Sequence, residues 1–157
     1  MQNFEMPKPT EKHAKLQSLA GTWVGEETMY PSPWDPKGGP ALGRTESRLD
    51  LDGFYLLSDY TQERGGRTSY KGHGVFGYDP GSGSYTMHWF DSMGFPCTVP
   101  AKGTWEGNRL LFQSASPMGQ GRFTYEFERE GKYRFKLENS RDGKEWTTFM
   151  EGNYTRK

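Results

Sequence analysis

The sequence lacks most of the features that assign a function directly. It contains one cysteine, Cys97, no isoleucine, and no apolar run close to membrane-spanning length. One cysteine excludes an internal disulfide, and no secretory signal is recognisable before the first structured segment, so we expect a cytoplasmic protein. Lysine plus arginine and aspartate plus glutamate number 20 each. This balance argues against nucleic acid or an anionic membrane as the main partner, because both attract proteins with a basic excess.

Glycine and aromatic residues are abundant instead. Glycine occurs 21 times, and tryptophan, tyrosine and phenylalanine occur 5, 9 and 10 times among 157 residues. Glycine allows a sheet to bend, and aromatic side chains fill large interior volumes and cover glycines on neighbouring strands. The composition therefore favours a curved β-sheet, and the length predicts a single domain.

The first twenty residues differ from the rest of the chain. Residues 1–9 include Pro7 and Pro9 and are predicted to form a flexible arm, with residues 10–157 forming the domain. Thr10 is a candidate N-cap for a short helix that ends at Gly21. His13 lies in the first turn of this helix, where a polar residue is expected at the surface.

After Gly21 the apolar residues alternate with polar ones, which is typical of half-buried β-strands. Short turns separate the strands, and such a sheet should close on itself because an open one leaves exposed edges. The sequence therefore predicts an all-β, up-and-down antiparallel β-barrel of about ten strands with one short N-terminal helix. The predicted strands are 22–30, 43–51, 54–64, 67–78, 84–92, 97–106, 108–116, 120–129, 132–140 and 144–155.

One connection is too proline-rich for a strand and too long for a tight turn. It covers residues 31–40 and contains Trp34. Two roles are open for this tryptophan: a lid that packs over the mouth of the barrel, or an anchor that holds the loop to the outside.

The stretch from Gly72 to Gly94 is a predicted hairpin in which Tyr78 pairs with Tyr85. Residues that pair directly share a face of the sheet. Trp89 is then opposite Gly74, and the more apolar face, which we assign to the interior, carries Trp89, Asp91, Met87 and Phe76. His73 and His88 are on the outer face. Two imidazoles alone do not make a zinc site, so no metal site is predicted.

Two other residues are candidates for the interior. In the third strand, Tyr60 belongs to the face that we assign to the interior, and in the first strand Glu27 shares the face of Trp23. A carboxylate inside a barrel must be paired or protonated, so Asp91 and Glu27 are expected to bond to another side chain or to a polar group of a ligand. The predicted ligand-binding residues are Trp89, Asp91, Met87, Phe76, Tyr60, Glu27 and Trp34.

The segment Leu16-x-x-Leu19-Ala20-Gly21-Thr22-Trp23-x-Gly25 resembles the start of the first strand in the calycin superfamily, which includes lipocalins and fatty-acid-binding proteins. The resemblance is closer, over nearly the whole chain, to a bacterial calycin-like family, domain of unknown function 1579. It implies a barrel with an interior ligand site, and it implies no reaction. The segments that carry it are Gly21-Thr22-Trp23, Asp52-Gly53-Phe54, Gly77-Tyr78-Asp79 and Trp89-Phe90-Asp91-Ser92-Met93.

Fatty-acid-binding proteins hold a carboxylate with an arginine and a tyrosine two residues apart in their last strand. The corresponding pattern here is Tyr154-x-Arg156, in reversed order and almost at the terminus. We therefore expect Arg156 to be an exposed terminal residue.

These observations favour non-catalytic binding of a small, mostly apolar or amphipathic ligand inside the barrel, without a cofactor. An enzyme is less favoured, because no nucleophile–base pair or metal triad is recognisable. One alternative is a haem-binding barrel resembling the nitrobindins, which hold iron through a histidine near the end of the chain, whereas His88 is the last histidine here. Another is a homodimeric structural or interaction protein that pairs through His73, Val75, His88 and Phe90.

Overall fold

A computed structural model describes residues 4–157 and has the predicted architecture: a closed barrel of ten antiparallel strands with one short helix. Each strand pairs with the next along the chain, and the first pairs with the last. The strands are β1 (Gly21–Met29), β2 (Gly39–Asp50), β3 (Tyr55–Arg64), β4 (Arg67–Asp79), β5 (Ser84–Asp91), β6 (Ala101–Glu106), β7 (Arg109–Ser116), β8 (Gly119–Arg129), β9 (Lys132–Ser140) and β10 (Thr147–Arg156).

The helix α1 (Glu11–Ala14) continues into a 3-10 turn (Lys15–Leu19) that covers one end of the barrel. Leu16, Leu19 and Trp23 are buried there, and the Trp23 Nε1 donates a hydrogen bond to the Leu19 carbonyl at 3.0 Å. The Tyr85 hydroxyl donates to the Lys12 carbonyl at 2.6 Å. These contacts tie the helix to the strands and close this end, which we call the floor.

The prediction that His13 lies at the surface is wrong. Its Nδ1 accepts a hydrogen bond from the backbone N–H of Thr10 at 3.0 Å, as in a capping box. This bond pulls the imidazole back against the barrel, where its edge meets the rings of Phe54 and Tyr78 with centroids 5.1 and 5.5 Å away. His13 is therefore buried as part of the floor.

Arg156 is not an exposed terminal residue either. Its guanidinium lies 4.6 Å from the centroid of the Trp23 ring, and its Nη2 donates to the Ser18 carbonyl at 3.2 Å. The pairing of β1 with β10 places Arg156 directly opposite Trp23. Closure of the barrel thus brings the end of the chain onto the floor.

Three predicted strand starts differ from the observed ones by more than one residue. β2 begins at Gly39 rather than residue 43, with Pro40 near its first residue, where a missing N–H is tolerated. β6 begins at Ala101 rather than residue 97, after Pro96 and Pro100. β10 begins at Thr147 rather than residue 144, because the Asp142 carboxylate accepts the N–H groups of the next residues in a turn.

The hairpin of β4 and β5 has the predicted register, with Gly74 paired to Trp89 and Tyr78 to Tyr85. By contrast, β5 pairs with β6 only from Tyr85 to Met87, so the upper part of β5 has no neighbour on that side.

Residues 4–9 have no regular secondary structure and are exposed, while residues 1–3 of the predicted arm lie outside the described residues. Within residues 4–157 no helix has the length and apolarity needed to cross a membrane.

Candidate functional site

The barrel encloses a cavity of about 1090 Å³ that opens at the end opposite the floor. Its walls come from the inward positions of nine strands, which the period-2 pattern fills with apolar and aromatic residues. Some of these side chains, such as Phe123 and Leu137, are half-buried, whereas Leu56, Phe76 and Met87 are buried. The main apolar wall residues are Leu56, Phe76, Met87, Phe123, Tyr125, Phe135 and Leu137.

A polar cluster lies in the cavity wall around the carboxyl group of Glu27, which is 3% exposed. The Tyr60 hydroxyl lies 2.9 and 2.7 Å from its two oxygens and donates to it. The Gln62 Nε2 donates to the same carboxyl at 3.1 Å, and the Tyr154 hydroxyl donates to Oε2. Three strands carry the side chains of this cluster: Glu27 is on β1, Tyr60 and Gln62 are on β3, and Tyr154 is on β10. A fourth strand, β2, lies between β1 and β3.

Burial raises the pKa of Glu27 above its ordinary value of 4.5, because an ionised carboxylate is poorly solvated there. The hydrogen bonds from Tyr154, Tyr60 and Gln62 act in the opposite direction and favour the ionised form. Burial and the nearby Glu27 also raise the pKa of Tyr60 and Tyr154. Both tyrosines are therefore protonated hydroxyl donors at neutral pH, which suits binding better than proton abstraction.

Three glycines make room for this cluster. A Cβ atom at Gly43 would overlap the carboxyl group of Glu27, and one at Gly25 or Gly152 would overlap the ring of Tyr154. These positions are neighbours across β2, β1 and β10, so they form one flat patch of bare backbone. The two large side chains lie against this patch and cannot be accommodated if it carries side chains.

A second polar group lies nearer the mouth and involves three residues of β4 and β5. The Trp89 Nε1 donates to the Tyr70 hydroxyl at 2.9 Å, and this hydroxyl donates to Asp91 Oδ2 at 2.7 Å. The other oxygen of Asp91 accepts the backbone N–H of Met93 at 3.0 Å. One face of the Trp89 ring covers Gly72 and Gly74, where added Cβ atoms would meet the indole.

The mouth is bordered by the loop between β1 and β2, which is held by Arg64. The guanidinium of Arg64 forms an ion pair with Asp35, and its Nη2 donates to the Gly38 carbonyl at 2.8 Å. Trp34, at the tip of this loop, is 80% exposed and still borders the cavity. It therefore lies at the rim of the cavity.

The structure brings most of the predicted site residues together. Six of them, Trp89, Asp91, Met87, Phe76, Tyr60 and Trp34, border the cavity. Glu27 lies one layer behind, where its carboxyl group orients Tyr60, Gln62 and Tyr154. The other three members of the polar groups, Gln62, Tyr70 and Tyr154, were not among the predicted ligand-binding residues. Their inward positions follow from the same alternation, but their partners are on strands whose arrangement the alternation does not give.

The histidines lie outside the cavity. His13 is in the floor, and His73 and His88 point outward, with the His73 Nδ1 2.7 Å from Asp59 Oδ1. They are the three histidines of the sequence, so the barrel interior offers no imidazole to a haem iron. No cluster of three or more potential metal ligands occurs within residues 4–157. The outer face that could form a homodimer includes Phe90, which is exposed, and that interface stays a prediction.

Comparison with known proteins places the chain in a family and matches its fold. The model for the family described as protein of unknown function (DUF1579) matches residues 8–156, and the chain belongs to this family. No curated protein matches it.

Two solved structures with similar folds are very distant in sequence. One is the crystal structure of Rv2717c from M. tuberculosis, with a TM-score of 0.69 and 11% identity over 94% of this chain and 98% of that one. The other is the S-type phycobiliprotein lyase CPES from Guillardia theta, with a TM-score of 0.68 and 6% identity over 96% of this chain and 98% of that one. At these identities the similarity establishes the fold alone.

Proposed function

We propose that this member of the DUF1579 family binds a small, mostly apolar or amphipathic ligand inside its barrel, without catalysing a reaction. The observation that carries the proposal is the cavity of about 1090 Å³, whose walls are mainly aromatic and aliphatic and contain two separate polar groups. Binding pockets for small molecules usually combine an apolar lining with a few well-placed polar groups. A barrel that served only as a rigid scaffold would fill this space with its own side chains.

The arrangement of the polar groups also supports binding rather than catalysis. The hydroxyls of Tyr60 and Tyr154 are held by Glu27 and have raised pKa values, so neither is prepared to accept a proton. The similarity in fold to a phycobiliprotein lyase is in line with a ligand in the interior. The single cysteine, Cys97, has no partner for a disulfide in the sequence, and we keep a reducing, cytoplasmic location as part of the proposal.

The proposal can be tested with the neutral fluorophore N-phenyl-1-naphthylamine, which becomes brighter in apolar surroundings. We expect saturable binding at one site per chain. The variant Ser114→Trp places a large ring into the cavity, because Ser114 lies on its wall, and should weaken binding at least about tenfold. The neighbouring Gln113 is exposed on the outside of the same strand, so Gln113→Trp is the matched control and should bind as the natural chain does.

Two results would contradict the proposal. One is a natural chain that does not bind the fluorophore. The other is equal binding by Ser114→Trp and Gln113→Trp, which would locate the fluorophore on the outer surface rather than in the cavity. Thermal unfolding of both variants should accompany the titration, so that a loss of binding is not confused with a loss of structure.

A further inference from the structure

We propose that Tyr60, Tyr70, Trp89 and Asp91 form a binding site for a protonated amine, so that the ligand of the barrel is an amphipathic organic cation. This inference rests on the proposed function, because it names the chemical class of the molecule bound in the same cavity. All four side chains border that cavity.

The Tyr60 ring is inclined to the rings of both Tyr70 and Trp89, and we call these three rings the box. The centroid of Tyr60 lies 6.0 Å from that of Tyr70, with an angle of 64° between the ring planes. It lies 6.1 Å from the centroid of Trp89, with an angle of 53°. The first pair packs edge to face and the second is tilted, and any ring face that remains open to the cavity attracts a cation.

Hydrogen bonds leave the ring faces available to a ligand. The polar edges of Trp89 and Tyr70 are already used, since the indole N–H donates to Tyr70 and the Tyr70 hydroxyl donates to Asp91. One face of the indole lies on the bare backbone of Gly72 and Gly74. The opposite face is therefore turned to the interior, and the rings are held in place before any ligand arrives.

Asp91 gives the box a negatively charged side chain. Among the described residues its carboxylate forms no ion pair with a lysine, arginine or histidine. The other charged residues around the cavity are Arg141, Asp142 and Glu145, all in the loop between β9 and β10 at the rim. Among residues 4–157, Asp91 is therefore the one charged side chain that borders the cavity below its rim, which disfavours a ligand carboxylate there and favours an ammonium group.

An unused hydrogen-bond acceptor lies beside the box. Gln62 is 6% exposed and borders the cavity, and its Nε2 donates to Tyr60 and Glu27 at 3.1 Å each. Within the part of the chain that the structure describes, the amide oxygen of Gln62 accepts no hydrogen bond. A protonated amine has N–H groups for this oxygen and for Asp91, whereas a hydrocarbon or a carboxylate has none.

The test compares three ligands with the same ten-carbon chain: decylammonium, decanol and decanoate. Their affinities are measured by displacement of N-phenyl-1-naphthylamine at neutral pH, below the concentrations at which they form micelles. We expect decylammonium to bind about tenfold more tightly than decanol, and decanoate to bind least tightly. The variant Asp91→Asn keeps the shape of the side chain and should remove most of the preference for the cation over decanol.

The matched control is Glu145→Gln, which makes the same change of charge at the exposed rim and should keep the preference. Equal affinities for the three ligands in the natural chain, or an undiminished preference in Asp91→Asn, would overturn this inference and leave the proposed function standing. Failure of all three ligands to displace the fluorophore would also overturn this inference, whereas the binding of the fluorophore itself tests the proposed function. Should Asp91→Asn not fold, the order of affinities in the natural chain still decides the matter.

Discussion

The hydroxyl of Tyr154 offers a direct test of the polar cluster, because it can be removed without removing the ring. In Tyr154→Phe the ring keeps its stacking on Tyr133, with centroids 4.9 Å apart and planes 11° apart. Only the hydrogen bond to the buried carboxyl group of Glu27 is lost. Hydrogen bonds to a charged group contribute about 1.5–3 kcal/mol, so we expect the free energy of unfolding to fall by about 2 kcal/mol at pH 8.

The loss of stability in Tyr154→Phe should be greater at high pH than at low pH, because the carboxyl group that loses the hydrogen bond is buried. Burial raises the pKa of Glu27 in the folded chain, so folding favours the protonated form and loses stability as pH rises above 4.5. The bond from Tyr154 opposes this rise in the pKa. Without it the pKa rises further and the loss with pH is greater. At pH 5, where the carboxyl group is more protonated, the cost should be about 1 kcal/mol, the contribution of a neutral hydrogen bond.

Tyr133→Phe is the matched control for this measurement. Tyr133 is also buried in the same stack, but its hydroxyl forms no hydrogen bond within residues 4–157. We expect a change within about 0.5 kcal/mol at either pH. Unfolding in urea, followed by tryptophan fluorescence at pH 5 and pH 8, measures both variants. A cost for Tyr154→Phe that equals that of the control, or that is the same at both pH values, would refute the reasoning.

Three further predictions concern the cluster and the floor. Gly43→Ala places a Cβ atom against Glu27 and should lower the free energy of unfolding by about 1–3 kcal/mol. The control is Gly81→Ala, whose Cβ would meet only Asp79 at 3.2 Å, and it should change the free energy of unfolding by less than about 0.5 kcal/mol. Equal losses of stability in urea unfolding of the two variants would contradict this prediction. Glu27→Gln removes the titrating carboxyl group, so the decline of stability between pH 4.5 and 8 should become shallower. If the urea midpoint depends on pH as steeply as in the natural chain, Glu27 is not the source of that decline. Arg156→Lys weakens the contact with the Trp23 ring and should lower the free energy of unfolding by about 1 kcal/mol, which a lower midpoint of thermal unfolding would show. An unchanged midpoint would show that the contact does not stabilise the floor.

The alternation and turn patterns of the sequence were sufficient to predict those features that depend only on one strand and the next strand along the chain. The alternation after Gly21 assigned the faces of the strands, and the turn after Tyr78 fixed the register that pairs Trp89 with Gly74. The inward placement of Phe76 and Met87 follows from the same register. These features are determined by the two-residue period of a strand and by the length of a hairpin, both of which can be read from the sequence.

The sites inside the barrel depend on contacts that no local pattern contains. Glu27 meets Tyr154 because the first strand pairs with the last, and it meets Tyr60 two strands away because the barrel curves back on itself. The contact of Arg156 with the Trp23 ring in the floor has the same origin. Alternation shows that a side chain points inward, but the neighbours it finds there depend on how the strands are tilted and staggered when the sheet closes.

The sequence by itself determined the barrel, the hairpin register and the inward direction of most site residues, because side chains alternate along every strand whatever the sheet does as a whole. Only the tertiary structure decided that the interior keeps an open cavity, that Glu27 lies behind its wall, and that Asp91 borders it without an ion pair to any basic residue among residues 4–157. The physical reason is closure. The volume inside a barrel and the partners across it are properties of all ten strands together.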